Sequence, residues 1–274
     1  MKKIQILTLL IFTCTPLCQA DITSGLVGEW LFSGNANDSS GNGLDGVVSG
    51  ATLTSDHNGT PNEAYYFDGR TGGIGNWISV PNSGSVLSTL TQWTIETRVR
   101  IDGFSGIGPQ RLISFEGADF TGAKGFALGY STSDTIHADN FYMGASYGGS
   151  PDPSVTTTFQ PNLGQWYQVV GTYDGTTAKL YIDGVLNSQL TANWTLTSTQ
   201  DLQFGRFLGS TNPPGYTGDA NAAMDEVRIY NRALTSSDVT ALNIIPEPST
   251  GLLIMLGTVV ALFRRNRQKR QVEV

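Results

Sequence analysis

Cysteine is almost missing from this sequence: of 274 residues only Cys14 and Cys18 carry a thiol, and both lie within the first twenty. With that leader set aside, no residue is left for a disulfide scaffold, a Cys-ligated zinc, an iron–sulfur cluster or a cysteine nucleophile. Histidine is nearly as scarce. His57 and His137 stand alone, neither with a second histidine at helical spacing, so both read as surface residues and no catalytic zinc centre is expected. Charged residues make up 14% of the chain, well under the usual quarter. Residues 21–245 hold nine Lys and Arg against sixteen Asp and five Glu, a net charge of about −12. Without a basic stripe, no nucleic-acid partner is expected. What is present is 39% apolar residues, enough for a core, and 33 glycines. With abundant Ser, Thr, Asn and Asp, that composition suits short strands and tight turns.

Both ends read as addresses. Met1-Lys2-Lys3, the apolar run Ile4 to Thr13 and the small-x-small site Cys18-Gln19-Ala20 form the three parts of a secretory signal peptide over residues 1–20. A lipoprotein signal is the other reading, but Thr13 and Leu17, the residues before the two cysteines, are poor fits to it. At the far end, Pro246-Glu247-Pro248 precedes a charge-free stretch from Gly251 to Phe263 and a cluster of five basic residues between Arg264 and Arg270. Thirteen apolar residues fall short of the roughly 20 that span a bilayer as a helix, while the basic flank would hold its end on the cytoplasmic side. Residues 246–270 resemble the PEP-CTERM sorting signal, departing from it only in the tail Gln271 to Val274. The resemblance implies a short membrane helix acting as a transient inner-membrane anchor, processing by signal peptidase and exosortase, and delivery to the cell surface or extracellular matrix of a Gram-negative bacterium that makes exopolysaccharide.

Residues 21–245 make one domain of a length that suits an all-β sandwich. In Trp93-Thr94-Ile95-Glu96-Thr97-Arg98-Val99-Arg100-Ile101 mostly apolar odd positions alternate with polar even ones, so one face packs and the other meets solvent. Similar runs recur at 26–32, 64–67, 77–80, 111–115, 126–130, 140–147, 166–173, 202–207 and 224–230. Asp174-Gly175 and Asp183-Gly184 mark two hairpin turns joining 166–173, 178–182 and 185–190. Only 235–242 reads helical, with Thr235 and Asp238 spaced to cap its first turn. No repeat of 20 to 50 residues is present, and many antiparallel strands in one domain imply two packed sheets.

Seven phrases run in order from residue 26 to 242: Leu26 to Phe32, Asn37 to Gly43, Tyr66-Phe67-Asp68-Gly69, Trp93 to Glu96, Trp166 to Gly175, Leu180 to Gly184 and Met224 to Leu234. Together they resemble the LamG-like jelly roll of the concanavalin A-like lectin/glucanase superfamily. The resemblance implies an all-β, two-sheet antiparallel jelly-roll sandwich. It departs from the family at Thr97-Arg98, where many members carry a second aromatic.

Catalytic glucanases of that superfamily carry two glutamates around an aspartate on one strand, and no such triplet exists here. Asp225 and Glu226, being neighbours on a strand, are expected to face opposite sides. Gly144 to Gly148 matches GxSxG, but the Gly149 to Pro153 that follows cannot start the helix a nucleophile elbow needs. No enzyme is expected. Asp38 to Gly43 places oxygen side chains at alternate positions. This loop has two readings: Asp38 and Asn42 hold a structural calcium, or Asp38 caps its own backbone in an Asx turn. The resemblance implies a calcium held partly by the aspartate opening the last strand, which Asp225 matches. For a sugar site, Phe141, Tyr142 and Tyr147 would form the aromatic platform with Asp139 and Asn140 as hydrogen-bonding neighbours. Trp77, Trp194 and Tyr216 are further candidates, and each of these rings has a core role as its alternative. The expected function is a surface-sorted, non-catalytic module recognising a carbohydrate such as exopolysaccharide. The alternatives are a structural or adhesive matrix protein contacting other proteins and, third, a glycoside hydrolase.

Overall fold

The computed structural model describes residues 22–69, 76–104, 108–116, 124–132, 140–145, 154–207 and 218–244. The leader, the sorting signal with its apolar segment, and Asp139, Tyr147, His137 and Tyr216 lie outside them. Among the described residues no helix is long and apolar enough to cross a membrane.

Fifteen strands and two short helices are described. They are β1 (Leu26–Trp30), β2 (Val47–Ser49), β3 (Thr52–Thr54), β4 (Ala64–Asp68), β5 (Trp77–Val80), α1 (Gly84–Leu87), β6 (Trp93–Gly103), β7 (Gly108–Ser114), β8 (Phe126–Thr132), β9 (Phe141–Ala145), β10 (Ser154–Thr156), β11 (Trp166–Tyr173), β12 (Thr177–Ile182), β13 (Val185–Thr191), β14 (Leu202–Phe204), β15 (Asn221–Tyr230) and α2 (Ser236–Ile244). All the strand pairings are antiparallel. One sheet of eight strands runs β13-β12-β11-β6-β15-β4-β3, with β1 also on β15; a second of seven runs β10-β9-β8-β7-β14-β5-β2. Apolar side chains of the two inner faces, Ile95 and Val99 on β6, Leu128 on β8 and Phe204 on β14 among them, close into one core. The all-β, two-sheet sandwich expected from the alternation is therefore the fold.

Local chemistry explains the joints. Asp183 and Gly184 take φ of 49° and 80°, the positive values that a two-residue hairpin between twisted strands requires. At Gly50 (φ 78°) the chain leaves the seven-stranded sheet for the eight-stranded one. Helix α2 starts as its spacing predicts: the Asp238 amide donates to Thr235 Oγ1 at 3.2 Å and the Thr235 amide to Asp238 Oδ2 at 3.0 Å.

One expectation about β6 fails. Its even face does not meet solvent at Thr94 and Glu96, which are fully buried. Val239 and Leu242 of α2 pack with Leu234, Tyr230, Val170 and Tyr181 into a second apolar cluster, and that cluster roofs the outer face of the sheet. An alternating strand can thus be buried on both sides when later segments supply the cover: Thr94 Oγ1 donates to the Arg232 carbonyl and accepts from the Leu234 amide, and Gln168 and Arg228 enclose Glu96.

Candidate functional site

The outer face of the eight-stranded sheet concentrates the charged groups. A bulge between Asp225 and Arg228 sets two residues of β15 against one of β6, and Glu226 takes φ 48° there. Adjacent residues consequently do not face opposite sides, as a regular strand would have them. Asp225 stands opposite Arg98 in register, while the Glu226 carboxylate accepts from Arg98 Nε at 3.3 Å. Arg228 is the hub of the network, donating to Glu29 at 2.7 Å, Glu96 at 3.0 Å and Glu226 at 3.2 Å. Gln168 donates to the other oxygen of Glu96 at 3.1 Å. Burial pushes the Glu96 carboxyl up while Arg228 opposes it; burial works against the charge of Arg228, but its three glutamates hold it firmly protonated.

Beside this network, the connection between β3 and β4 folds over the same face and brings Asp56 and His57 to Asp225. One ligand atom from each of the three residues lies within 4.8 Å of the others. His57 Nδ1 is 2.8 Å from Asp225 Oδ2, its Nε2 is 3.1 Å from the Asn58 amide nitrogen, and its ring meets Trp166 edge-on at 6.5 Å. Asp56 Oδ1 accepts from the Asn58 and Thr60 amides, which shapes the loop. Among the described residues Asp56 Oδ2 and Asp225 Oδ1 are buried with no hydrogen-bond partner, each at a cost of about 1–3 kcal/mol. Burial raises the Asp225 carboxyl against the opposing bond from His57. That bond in turn raises the His57 imidazole, with burial opposing. The sequence reading of His57 as an isolated surface residue is corrected here.

The residues implied for calcium are given separate partners. Asp38 Oδ1 accepts from the amides of Glu29 at 3.0 Å and Ser40 at 2.9 Å, and Oδ2 from that of Leu44 at 3.0 Å. The Asn42 amide group donates to the Leu26 and Val27 carbonyls. This is the Asx-turn reading of the loop, and a carboxylate so enclosed by N–H groups is a poor fit to a cation. Burial alone would raise the Asp38 pKa, yet these N–H groups and the Ser40 hydroxyl hold it below its ordinary 3.8. Asp38 therefore contributes stability that is present above pH 3.8 and lost as pH falls through the lowered value. Asp38→Ala is expected to cost about 1–2 kcal/mol, discounted for the solvent that reaches the loop, and to flatten the acid limb of the stability–pH curve followed by urea denaturation.

The sugar-site candidates divide. Phe141 is fully buried, packed edge-on against Tyr167 at 5.6 Å, and Tyr142 is nearly so; alternation along β9 sends Phe141 into the core and Tyr142 to the outer face across from Gly129. Neither offers an open ring face, so the platform expected on this strand is corrected. Asn140 is half-buried and its carbonyl accepts from the Ser131 amide. Trp194 lies in the core, stacked on Trp93 at 6.2 Å. Two tryptophans are half-exposed instead. Trp77 sits on the outer face of β5, in the seven-stranded sheet, with the Arg206 guanidinium 4.2 Å from its ring centre. Trp166 sits on the outer face of β11, in the other sheet, with Arg100 at 5.3 Å.

Comparison with known proteins agrees with this architecture. The chain is similar to domain 4 of AbnA, an extracellular arabinanase from Geobacillus stearothermophilus, in complex with arabinotriose: TM-score 0.57 and 21% identity over 80% of this chain and 98% of that one. It also resembles the binding domain of Paraclostridial Mosquitocidal Protein 1, with TM-score 0.61 and 16% identity over 81% of this chain and 52% of that one. A third likeness is to Trypanosoma rangeli sialidase in complex with 2,3-difluorosialic acid, with TM-score 0.53 and 21% identity over 80% of this chain but 33% of the sialidase. No curated protein matches significantly. Residues 245–268 match the PEP-CTERM protein-sorting motif, a signal for export and surface sorting. Residues 71–240, more than half of the sequence, match the family model of the concanavalin A-like lectin/glucanases, and the chain belongs to that superfamily.

Proposed function

We propose that the protein is a surface-sorted module that binds extracellular polysaccharide and makes or breaks no bond, with signal peptidase and exosortase as its processing enzymes. The observation that carries this reading is Trp77. Its half-exposed indole lies on the outer face of the seven-stranded sheet beside the half-exposed Asn76 and Ser79. An apolar ring flanked by donors and acceptors is what a saccharide needs, since it stacks a C–H face and hydrogen-bonds its hydroxyls. The arabinotriose complex of a domain sharing this fold lends support from outside the chain. Against catalysis stands the state of the buried acids. Glu29, Glu96 and Glu226 are tied to Arg228, and Glu116 to Arg111, whereas glycoside hydrolysis needs two carboxyl groups facing one bond.

Native gel electrophoresis through different polysaccharides tests the proposal. One polysaccharide should retard the protein. Trp77→Ala should weaken the retardation at least about tenfold, while Trp166→Ala on the other sheet leaves it unchanged. Reducing sugar released from that polysaccharide would establish hydrolysis instead. No retardation across a broad panel would favour a matrix protein that contacts other proteins, a role that the exposed Val47 and Val185 on β2 and β13 would suit.

A further inference from the structure

We propose that Asp56, His57 and Asp225 form a binding site for a divalent transition-metal ion of the zinc class, and that this ion, not calcium, is the cation the fold takes up. The three donors come from two segments 168 residues apart, yet their ligand atoms lie within 4.8 Å of one another. Proximity of acids is not the whole argument. Asp56 and Asp225 are only 2% and 1% exposed, and each carries an oxygen that no hydrogen bond reaches among the described residues. These unmatched oxygens belong to the two carboxylates grouped with His57, whose Nδ1 lies 2.8 Å from Asp225 Oδ2. Buried polar atoms in native proteins are almost always satisfied, so a pair left over at one point calls for a partner.

Charge and donor type identify that partner. Two carboxylates with a neutral imidazole carry −2, which a divalent ion cancels. The cation opposite Asp225 in the sheet, Arg98, is engaged by Glu226 at 3.3 Å. Calcium takes six to eight oxygens. An imidazole nitrogen with two carboxylate oxygens is instead a three-ligand set for zinc or its neighbours, with water in a fourth position. The fourth position has a route to solvent on the half-exposed His57 side. Asn58 supplies the outer support. Its amide lies 3.1 Å from His57 Nε2, and a half-turn of that amide would present its oxygen to an Nε2–H, leaving Nδ1 as the ligating nitrogen. An ion held here would staple the β3–β4 connection to β15 and stabilise the fold by mass action.

The test uses purified protein without a histidine tag, stripped with chelator and then titrated separately with zinc, nickel, cobalt, calcium and magnesium. Zinc at a hundredfold excess over its Kd should raise Tm by about 5–10 °C, and millimolar calcium should not. His57→Gln should abolish the zinc shift and His137→Gln should keep it. Because changes at Asp225 risk the fold, a second readout is independent of stability: cobalt or nickel should quench tryptophan emission, and Trp166→Phe should remove most of that quenching, since Trp166 is the ring beside His57. A calcium shift equal to that of zinc, no shift with any of these ions, or a zinc shift that survives His57→Gln would overturn the assignment.

Discussion

Arg228→Met is expected to lower the unfolding free energy by about 3–5 kcal/mol, the cost of leaving a buried charge without its partner. For a domain of this size that corresponds to a fall in Tm of roughly 6–20 °C. The reason is the asymmetry of the network: one guanidinium serves Glu29, Glu96 and Glu226, and Glu96 is fully buried. Burial already raises the Glu96 carboxyl above its ordinary 4.5, with Arg228 opposing the rise. A raised carboxyl makes the folded state bind the proton more tightly than the unfolded state does. Its contribution to stability is thus present below pH 4.5 and lost as pH climbs through the raised value. Without Arg228 that value rises further, so the penalty of the variant should grow as pH climbs above 4.5, and urea midpoints measured from acid to neutral pH would show it. Adding Glu96→Gln removes the stranded charge and should recover much of the loss, with the coupling read from the double-mutant cycle. A penalty unchanged by pH or by Glu96→Gln would mean that Arg228 acts through packing and not through charge.

What the sequence made legible was local. The Asp183-Gly184 turn, the Thr235–Asp238 cap and the long alternating strands each depend on residues within a few positions of one another, and each stands where its pattern places it. Strands β2, β3 and β10 were invisible because each has three residues, too few to display alternation; β14, equally short, was read only as part of the longer run 202–207. Glu96 was read as solvent-facing because the groups that enclose it, Gln168 and Arg228, come from strands 72 and 132 residues later. The bulge at Glu226 hid the shared face of Asp225 and Glu226, since nothing in the residue types announces a positive φ on a glutamate. His57 was set aside for want of a second histidine nearby, and its partner proved to be an aspartate at the far end of the domain. The spacing at Asp38 left two readings open, a calcium loop and an Asx turn, because it does not show which groups reach the carboxylate; the amides of Glu29, Ser40 and Leu44 do. Functional groups assembled from distant segments become readable only once the pairing of β15 with β6, β4 and β1 is known.

That pairing has its own consequence for the N-terminal segment, which lies ahead of the family match at residues 71–240. Trp30 ends β1 opposite Val227, fully buried, with its ring edge-on to Phe204 at 5.0 Å and its Nε1–H donating to the Leu44 carbonyl at 2.8 Å. Gly28 leaves room for it: a Cβ there would come within 2.4 Å of the indole. The tryptophan therefore joins β1, the loop reaching Leu44 and β14 of the opposite sheet into one packing unit. Trp30→Ala is expected to cost about 3–5 kcal/mol, the lost transfer energy plus a cavity that the surrounding strands cannot collapse. Trp30→Phe should cost less but leave the Leu44 carbonyl short of its donor, a further penalty of about 1–3 kcal/mol if water does not replace it. Thermal unfolding distinguishes this from the view that the first strand is an appendage to the matched domain. An appendage would leave the main transition where it is and lose a separate, earlier one. A strand built into the core, as Trp30 is, moves the single transition as a whole.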